Sequence, residues 1–181
     1  MNYILKTFSL LFFSSILLSA CEKEDPVIPN EEELITTLTY RLTPVDGGDV
    51  VTFYFQDLDG EGGNDPIITN ESLKANTVYN GVLTLLNETE SPAGNITSEV
   101  EKEGDHHQFF FDANGNAQIT YQDEDVNGNP LGLLTSLSSG DISTSTLNVV
   151  LRHQPLKPND GSLLDAGGQT DIQVTFDFII E

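Results

Sequence analysis

Ile172-Gln173-Val174-Thr175-Phe176-Asp177-Phe178-Ile179-Ile180 closes the chain and decides its fold class. Ile172, Val174, Phe176, Phe178 and Ile180 fall on one parity, and Gln173, Thr175 and Asp177 on the other. Side chains of an extended chain alternate between two faces, so this stretch is a strand with one face buried. The same period recurs upstream. Leu147, Val149 and Leu151 alternate with Asn148, Val150 and Arg152; Val51, Phe53 and Phe55 alternate with Thr52 and Tyr54. Leu34, Leu38, Tyr40 and Leu42 share a parity broken only at Thr36. Residues 78–86, 108–112, 117–122 and 131–137 are further strand candidates, rich in Val, Leu, Phe, Tyr and Thr.

Turn residues separate these runs. Asp46-Gly47-Gly48-Asp49 predicts a hairpin between the first two strands. Asp112-Ala113-Asn114-Gly115-Asn116 links Phe109-Phe110-Phe111 to Gln118-Ile119-Thr120-Tyr121, with Asn114-Gly115 a tight-turn signal, and Asn127-Gly128-Asn129-Pro130 is another turn. Only residues 96–103 read as helix, with Gly104 placed to stop it. No helical run is long enough for a parallel crossover. The expectation is an all-β, antiparallel, immunoglobulin-like sandwich of about seven to nine strands with minimal helix.

Composition bounds the rest. The chain has 181 residues, 7 Lys+Arg against 29 Asp+Glu, and a formal charge of −22. Nucleic acid and anionic lipid need a cationic face, so neither is expected as a partner of the folded part. Hydrophobic residues make up 38% of the chain and there are 10 Phe, which is too apolar for a disordered acidic segment. One Cys excludes an intrachain disulfide and any Cys-based zinc cluster.

The start of the chain reads as an address. Lys6 precedes the apolar run Phe8-Ser9-Leu10-Leu11-Phe12-Phe13-Ser14-Ser15-Ile16-Leu17-Leu18, which ends in Leu18-Ser19-Ala20-Cys21. A basic start, a short apolar core and small residues before a cleavage point describe a signal peptide. Leu-Ser-Ala-Cys resembles the lipobox of bacterial lipoproteins. That resemblance implies cleavage after residue 20 and lipid attachment at Cys21, leaving a mature chain of 161 residues with 6 basic and 29 acidic side chains. Residues 21–33, with two prolines and many acids, are expected to be the lipidated Cys and a solvated tether, and residues 34–181 the sandwich domain. Lys23-Glu24-Asp25 is similar to the Lys-plus-acid signal that sends some Bacteroidota lipoproteins to the cell surface, so an outer-membrane lipoprotein at the cell surface, rather than on the periplasmic face, is the expected location.

The resemblance extends to Asp57-Leu58-Asp59-Gly60-Glu61-Gly62-Gly63, His106-His107-Gln108-Phe109-Phe110-Phe111 and Leu151-Arg152-His153-Gln154-Pro155. Together these stretches resemble small Bacteroidota outer-membrane lipoproteins of the kind found with TonB-dependent receptors. Such proteins are sometimes named as type 1 periplasmic-binding-fold proteins. That name implies two α/β lobes, which a helix-poor chain of this length does not supply.

Three groups of residues carry potential chemistry. Asp123, Asp125 and Asn127, followed by Gly128, set side-chain oxygens at alternate positions of a tight loop, a spacing that suits Ca2+. Leu134 stands where an EF-hand has its bidentate Glu, so this is no EF-hand; an acidic turn is the alternative. Asp57, Asp59 and Asp65 offer oxygens in a Gly-rich loop after the second strand, as a second cation candidate or as loop solubility. His106, His107 and His153 are candidate Zn2+ ligands, with Glu101, Glu103 and Asp105 just upstream. A site built on His106 or His107 with His153 requires their strands to be neighbours; otherwise these are surface histidines and one hydrogen-bonded edge histidine. No nucleophile, metalloprotease or phosphate-loop motif is present, so no enzyme is expected. The function expected is a lipid-anchored outer-membrane binding or accessory module, capturing a divalent cation or a ligand for a neighbouring TonB-dependent receptor. The alternative is a structural or adhesive surface module.

Overall fold

The computed structural model describes residues 33–60 and 62–181. The expected signal peptide, Cys21 and most of the expected tether lie outside the described residues. The folded unit runs from Glu31 to Glu181. Glu33, which its composition assigns to the tether, therefore belongs with the body.

Among the described residues nine strands form in chain order: β1 (Thr37–Pro44), β2 (Val51–Gln56), β3 (Ile67–Asn70), β4 (Val78–Leu86), β5 (His107–Ala113), β6 (Ala117–Tyr121), β7 (Leu134–Ser139), β8 (Ser143–His153) and β9 (Gln169–Ile180). One short helix, α1 (Ile96–Lys102), lies between β4 and β5. Asn95 caps it by accepting a hydrogen bond from the Ser98 N–H, and Glu103 rather than Gly104 ends it. Like an immunoglobulin domain, the chain builds two facing antiparallel sheets, here divided six and three. Their orders are β3-β2-β1-β4-β7-β6 and β5-β8-β9. Among the described residues no helix is long and apolar enough to cross a membrane.

The alternation of β9 is realised as read. Ile172, Val174, Phe176, Phe178 and Ile180 are buried, and they face Phe53 of the larger sheet, whose ring centroid lies 5.3 Å from Phe176 and 5.1 Å from Phe178. Burying each such ring contributes roughly 1.5–3 kcal/mol. Tyr40 packs between Phe53 and Phe111 with its hydroxyl 2.7 Å from Thr135 Oγ1. Burial pushes its phenol up to about 12, against the opposing pull of the Thr135 hydrogen bond. Gly81 of β4 makes this contact possible, because a Cβ there would collide with Thr135 Oγ1 and the Tyr40 ring.

Three local features differ from the sequence expectation. The β1–β2 hairpin forms, with Leu42 opposite Val51. The Asp112–Asn116 turn, however, carries the chain from the small sheet to the large one, because β5 pairs with β8 and β6 with β7. Gly115 (φ +75) takes this corner against Ser145, where a Cβ would strike its Oγ. Second, β3 is a four-residue edge strand whose Ile67 and Ile68 are exposed; it has no alternation to betray it. Third, part of the outer face of the small sheet is covered rather than solvated. Residues 154–168 fold over it and bury Phe110, Val150 and Gln108 beneath Leu163 and Ala166.

Candidate metal centre

His107 and His153 are opposite each other in the β5–β8 ladder. Each follows the inward parity of its strand, Phe109 and Phe111 in one case, Leu151 and Val149 in the other. The two rings therefore meet at the end of the core, with centroids 4.5 Å apart. The neighbouring-strand condition that a two-histidine site required is satisfied.

A register shift in β9 supplies the third group. Leu151 pairs with Ile172 while the next residue, Arg152, pairs with Thr170, so Asp171 has no opposite number in the ladder. Such a bulge re-aims a side chain. By strict alternation from Ile172, Asp171 would face outward. Instead its side chain is fully buried, with Oδ2 3.8 Å from His107 Nε2. The fourth group, Glu33, comes from the segment leading into β1 of the other sheet. Its Oε1 lies 3.1 Å from His107 Nε2 and its Oε2 3.6 Å from His153 Nδ1. Ligating atoms of Glu33, His107, His153 and Asp171 all lie within 4.8 Å of one another. Among the described residues this is the one group of three or more His, Cys, Asp and Glu side chains so arranged.

Hydrogen bonding orients the set. His107 Nδ1 lies 3.1 Å from the Glu103 backbone carbonyl, which only accepts, so Nδ1 carries the hydrogen. A neutral ring then turns the Nε2 lone pair toward the Glu33 carboxylate, acceptor against acceptor. A proton on Nε2 relieves that contact, and so does a cation seated between the ligands. A backbone carbonyl behind the far nitrogen is the support that metal-bound histidines commonly have. Two ligand atoms at about 2.0–2.1 Å from a tetrahedral zinc stand about 3.4 Å apart. The separations of 3.1 and 3.6 Å from the two Glu33 oxygens and 3.8 Å from Asp171 lie near that value, while the set as a whole spans up to 4.8 Å. Two imidazoles with two carboxylates suit Zn2+ and its first-row neighbours better than Ca2+, which takes six or more oxygens. A cavity of about 820 Å³ reaches Glu33 and Asp171 from outside, lined also by Asp57, Asp59, Thr89 and Gln173.

Comparison of the chain with protein-family models, curated proteins and solved structures gives no match.

The remaining candidates fall elsewhere. His106 sits exposed in the turn before β5, with its ring 3.9 Å from Asp105 and outside the cluster. Glu103 contributes its backbone carbonyl, not its carboxylate. In the Asp123–Asn129 loop the carboxylates are turned onto the protein itself. Asp123 accepts from the N–H groups of Gly132 (2.7 Å) and Leu134 (2.9 Å). Asp125 accepts from Asn127 N–H (2.8 Å), Asn129 N–H (2.9 Å) and the Lys157 ammonium (3.0 Å). Lys157 uses its other donors on the carbonyls of Gly104 (2.7 Å) and His107 (2.6 Å). The cation of this loop is thus the chain's own lysine. Burial works to raise the Asp125 carboxyl, but the Asn129 and Asn127 N–H groups and Lys157 overcome it and hold it at about 2. Asn127 lends its backbone N–H to the turn.

The Gly-rich loop is similarly self-bonded. Asp57 accepts from the Asp59 and Gly60 N–H groups. Asp59 accepts from the backbone and side chain of Asn64, and these bonds hold its carboxyl below the usual range. Asp65 is exposed.

Sequence reasoning reached His107 and His153 but missed Glu33 and Asp171. Glu33 is the last of three consecutive glutamates and reads as tether. Asp171 lies on the polar parity of β9, and a single sequence gives no sign of the bulge that inverts it.

Proposed function

We propose that the protein is a lipid-anchored surface module that captures one divalent transition-metal ion, zinc foremost, between Glu33, His107, His153 and Asp171. The observation that carries this reading is the convergence, within 4.8 Å, of two imidazoles and one carboxylate from the small sheet with a second carboxylate from the segment before β1. The acidic cavity leading to it would gather cations from solution. Cys21, read as the acyl anchor, would hold the module on the outer membrane, where a TonB-dependent receptor is the natural recipient of a captured ion.

Calorimetric titration of metal-stripped protein tests this. Zinc should bind at one per chain and raise the melting temperature, whereas Ca2+ should do neither at the same concentration. Absence of zinc binding, or zinc binding unchanged by joint His107→Ala and His153→Ala substitution, refutes it.

A second reading has its own support. His107 and Asp171 are fully buried, as the ligands of closed structural zinc sites are. The ion would then be a permanent clasp of a structural or adhesive module, fastening Glu33 to the small sheet. Exchange separates the two. Capture predicts that a chelator strips zinc from the folded protein; a clasp predicts release only on unfolding.

A further inference from the structure

Three of the four groups around the candidate metal centre are fixed by the sheet, and one is not. His107 and His153 stand opposite each other in the β5–β8 ladder, and Asp171 lies at the bulge of the β8–β9 ladder. Glu33 belongs to no strand. Among the described residues, the first backbone hydrogen bond of the chain is made by Thr36, whose N–H donates to the Leu86 carbonyl at 3.0 Å. Thr36 is buried, and its hydroxyl accepts from the Glu88 N–H at 2.8 Å. The body thus grips the chain at Thr36. Ahead of that grip Ile35 is half-buried against the core, Leu34 is 56% exposed, and the polar contacts of Glu33 are those of its carboxylate with the two imidazoles.

That hold is weak without a cation. His107 Nδ1 keeps its hydrogen for the Glu103 carbonyl, so the neutral ring shows Glu33 a lone pair. Asp171 sets a second carboxylate within 4.8 Å of the first. Two carboxylates in so dry a place repel, and the one on the loosely held segment is the one free to leave. A divalent ion turns each of these repulsions into an attraction. Access points the same way. The side chains of His107 and Asp171 are fully buried and that of His153 nearly so, so an ion reaches them only when a wall moves. The cavity of about 820 Å³ outside is lined by Glu33, Leu34, Ile35 and Thr36 among others, so withdrawal of Glu33 opens it onto both imidazoles.

We propose that Glu33 and Leu34 form a strap, hinged at Ile35, that stands open without the ion and closes over it once it binds. The proposal rests on the metal-capture reading and adds its gate: the fixed groups receive the ion, and Glu33 seals it in. Closure moves the first fixed point of the body from Thr36 to Glu33, about 10 Å of extended chain. Ion occupancy is thereby passed to the segment that leads back toward Cys21.

The chain has no Trp, so Leu34→Trp places a single reporter at an exposed position beside Glu33. Metal-stripped protein carrying it is titrated with zinc at about pH 8, where protons compete least for the ligands, with tryptophan anisotropy and binding heat followed in parallel. Anisotropy should rise about twofold as nanosecond motion of the strap is lost, and should saturate at one zinc per chain. With Glu33→Ala added, at zinc concentrations that saturate the remaining ligands by binding heat, anisotropy should stay at its metal-free value. Binding heat with unchanged anisotropy would overturn the strap and leave the metal centre standing. So would a rise that persists in Glu33→Ala. Absence of binding heat would remove the metal centre and the strap together.

Discussion

The Asp123–Asn129 loop and the end of the core hold the same kinds of donor and use them oppositely. In the loop, Asp123 and Asp125 spend their oxygens on backbone N–H groups and on Lys157. At the core end, Glu33 and Asp171 face imidazole nitrogens instead, and His107 Nδ1 is tied back to a carbonyl so that Nε2 points at them. A carboxylate already saturated by its own chain is a structural staple. A carboxylate that faces imidazole nitrogens is a candidate ligand. Spacing in the sequence does not distinguish these cases; the partners do.

The sharpest contrast comes from removing one carboxylate in each region. Asp125→Asn should cost about 3–5 kcal/mol of unfolding free energy, because it strands the buried Lys157 ammonium, and should leave zinc stoichiometry unchanged. Chemical denaturation with parallel zinc titration reads both. If the variant lost zinc while keeping its stability, the two regions would have exchanged roles. His153→Ala should do the reverse. It should weaken zinc by about a hundredfold or more, near 2.7 kcal/mol, with a smaller loss of metal-free stability.

Acid separates the regions next. Asp125 is held at about 2 against an ordinary value of 3.8. A carboxyl lowered in the folded state stabilises above the unfolded value, and that contribution disappears as pH falls through the folded one. About 2 kcal/mol should therefore be lost between roughly pH 5 and pH 2. Denaturation midpoints across this range should flatten in Asp125→Asn; an unchanged acid limb would mean that the Asn129 and Asn127 N–H groups and Lys157 do not lower this carboxyl. The smallest effect is at the edge of the metal cluster. Glu33→Gln should weaken zinc about tenfold, near 1.4 kcal/mol, since an amide oxygen is a poorer ligand and Glu33 is the most exposed of the four. Equal affinity in wild type and variant would remove Glu33 from the set.

Much of the architecture follows from period-2 alternation. The alternation of β9 names its five buried residues, and the parities of Phe109 and Leu151 place His107 and His153 inward before any pairing is known. What alternation does not convey is which strands are neighbours and where they slip. The Asn114-Gly115 turn has the residues of a tight turn, but it joins two sheets because β5 finds β8, far away in the chain. Val150 and Gln108 sit on the polar parity of their strands and are nonetheless buried, because residues 154–168 return over them. The same long-range events hid half of the candidate cluster. Asp171 is inverted by a one-residue bulge, and Glu33 is brought over from the segment before the opposite sheet. The Asp-x-Asp spacing at 123–125 misled for the converse reason: Lys157, which answers it, is 32 residues downstream.

X-ray absorption at the zinc edge of the loaded protein tests the central claim most directly. The account predicts one zinc per chain with a mixed nitrogen and oxygen shell of four at about 2.0–2.1 Å, carrying the outer-shell scattering of two imidazoles. A six-coordinate shell of oxygen alone, or an imidazole signal that survives replacement of both His107 and His153, would contradict it.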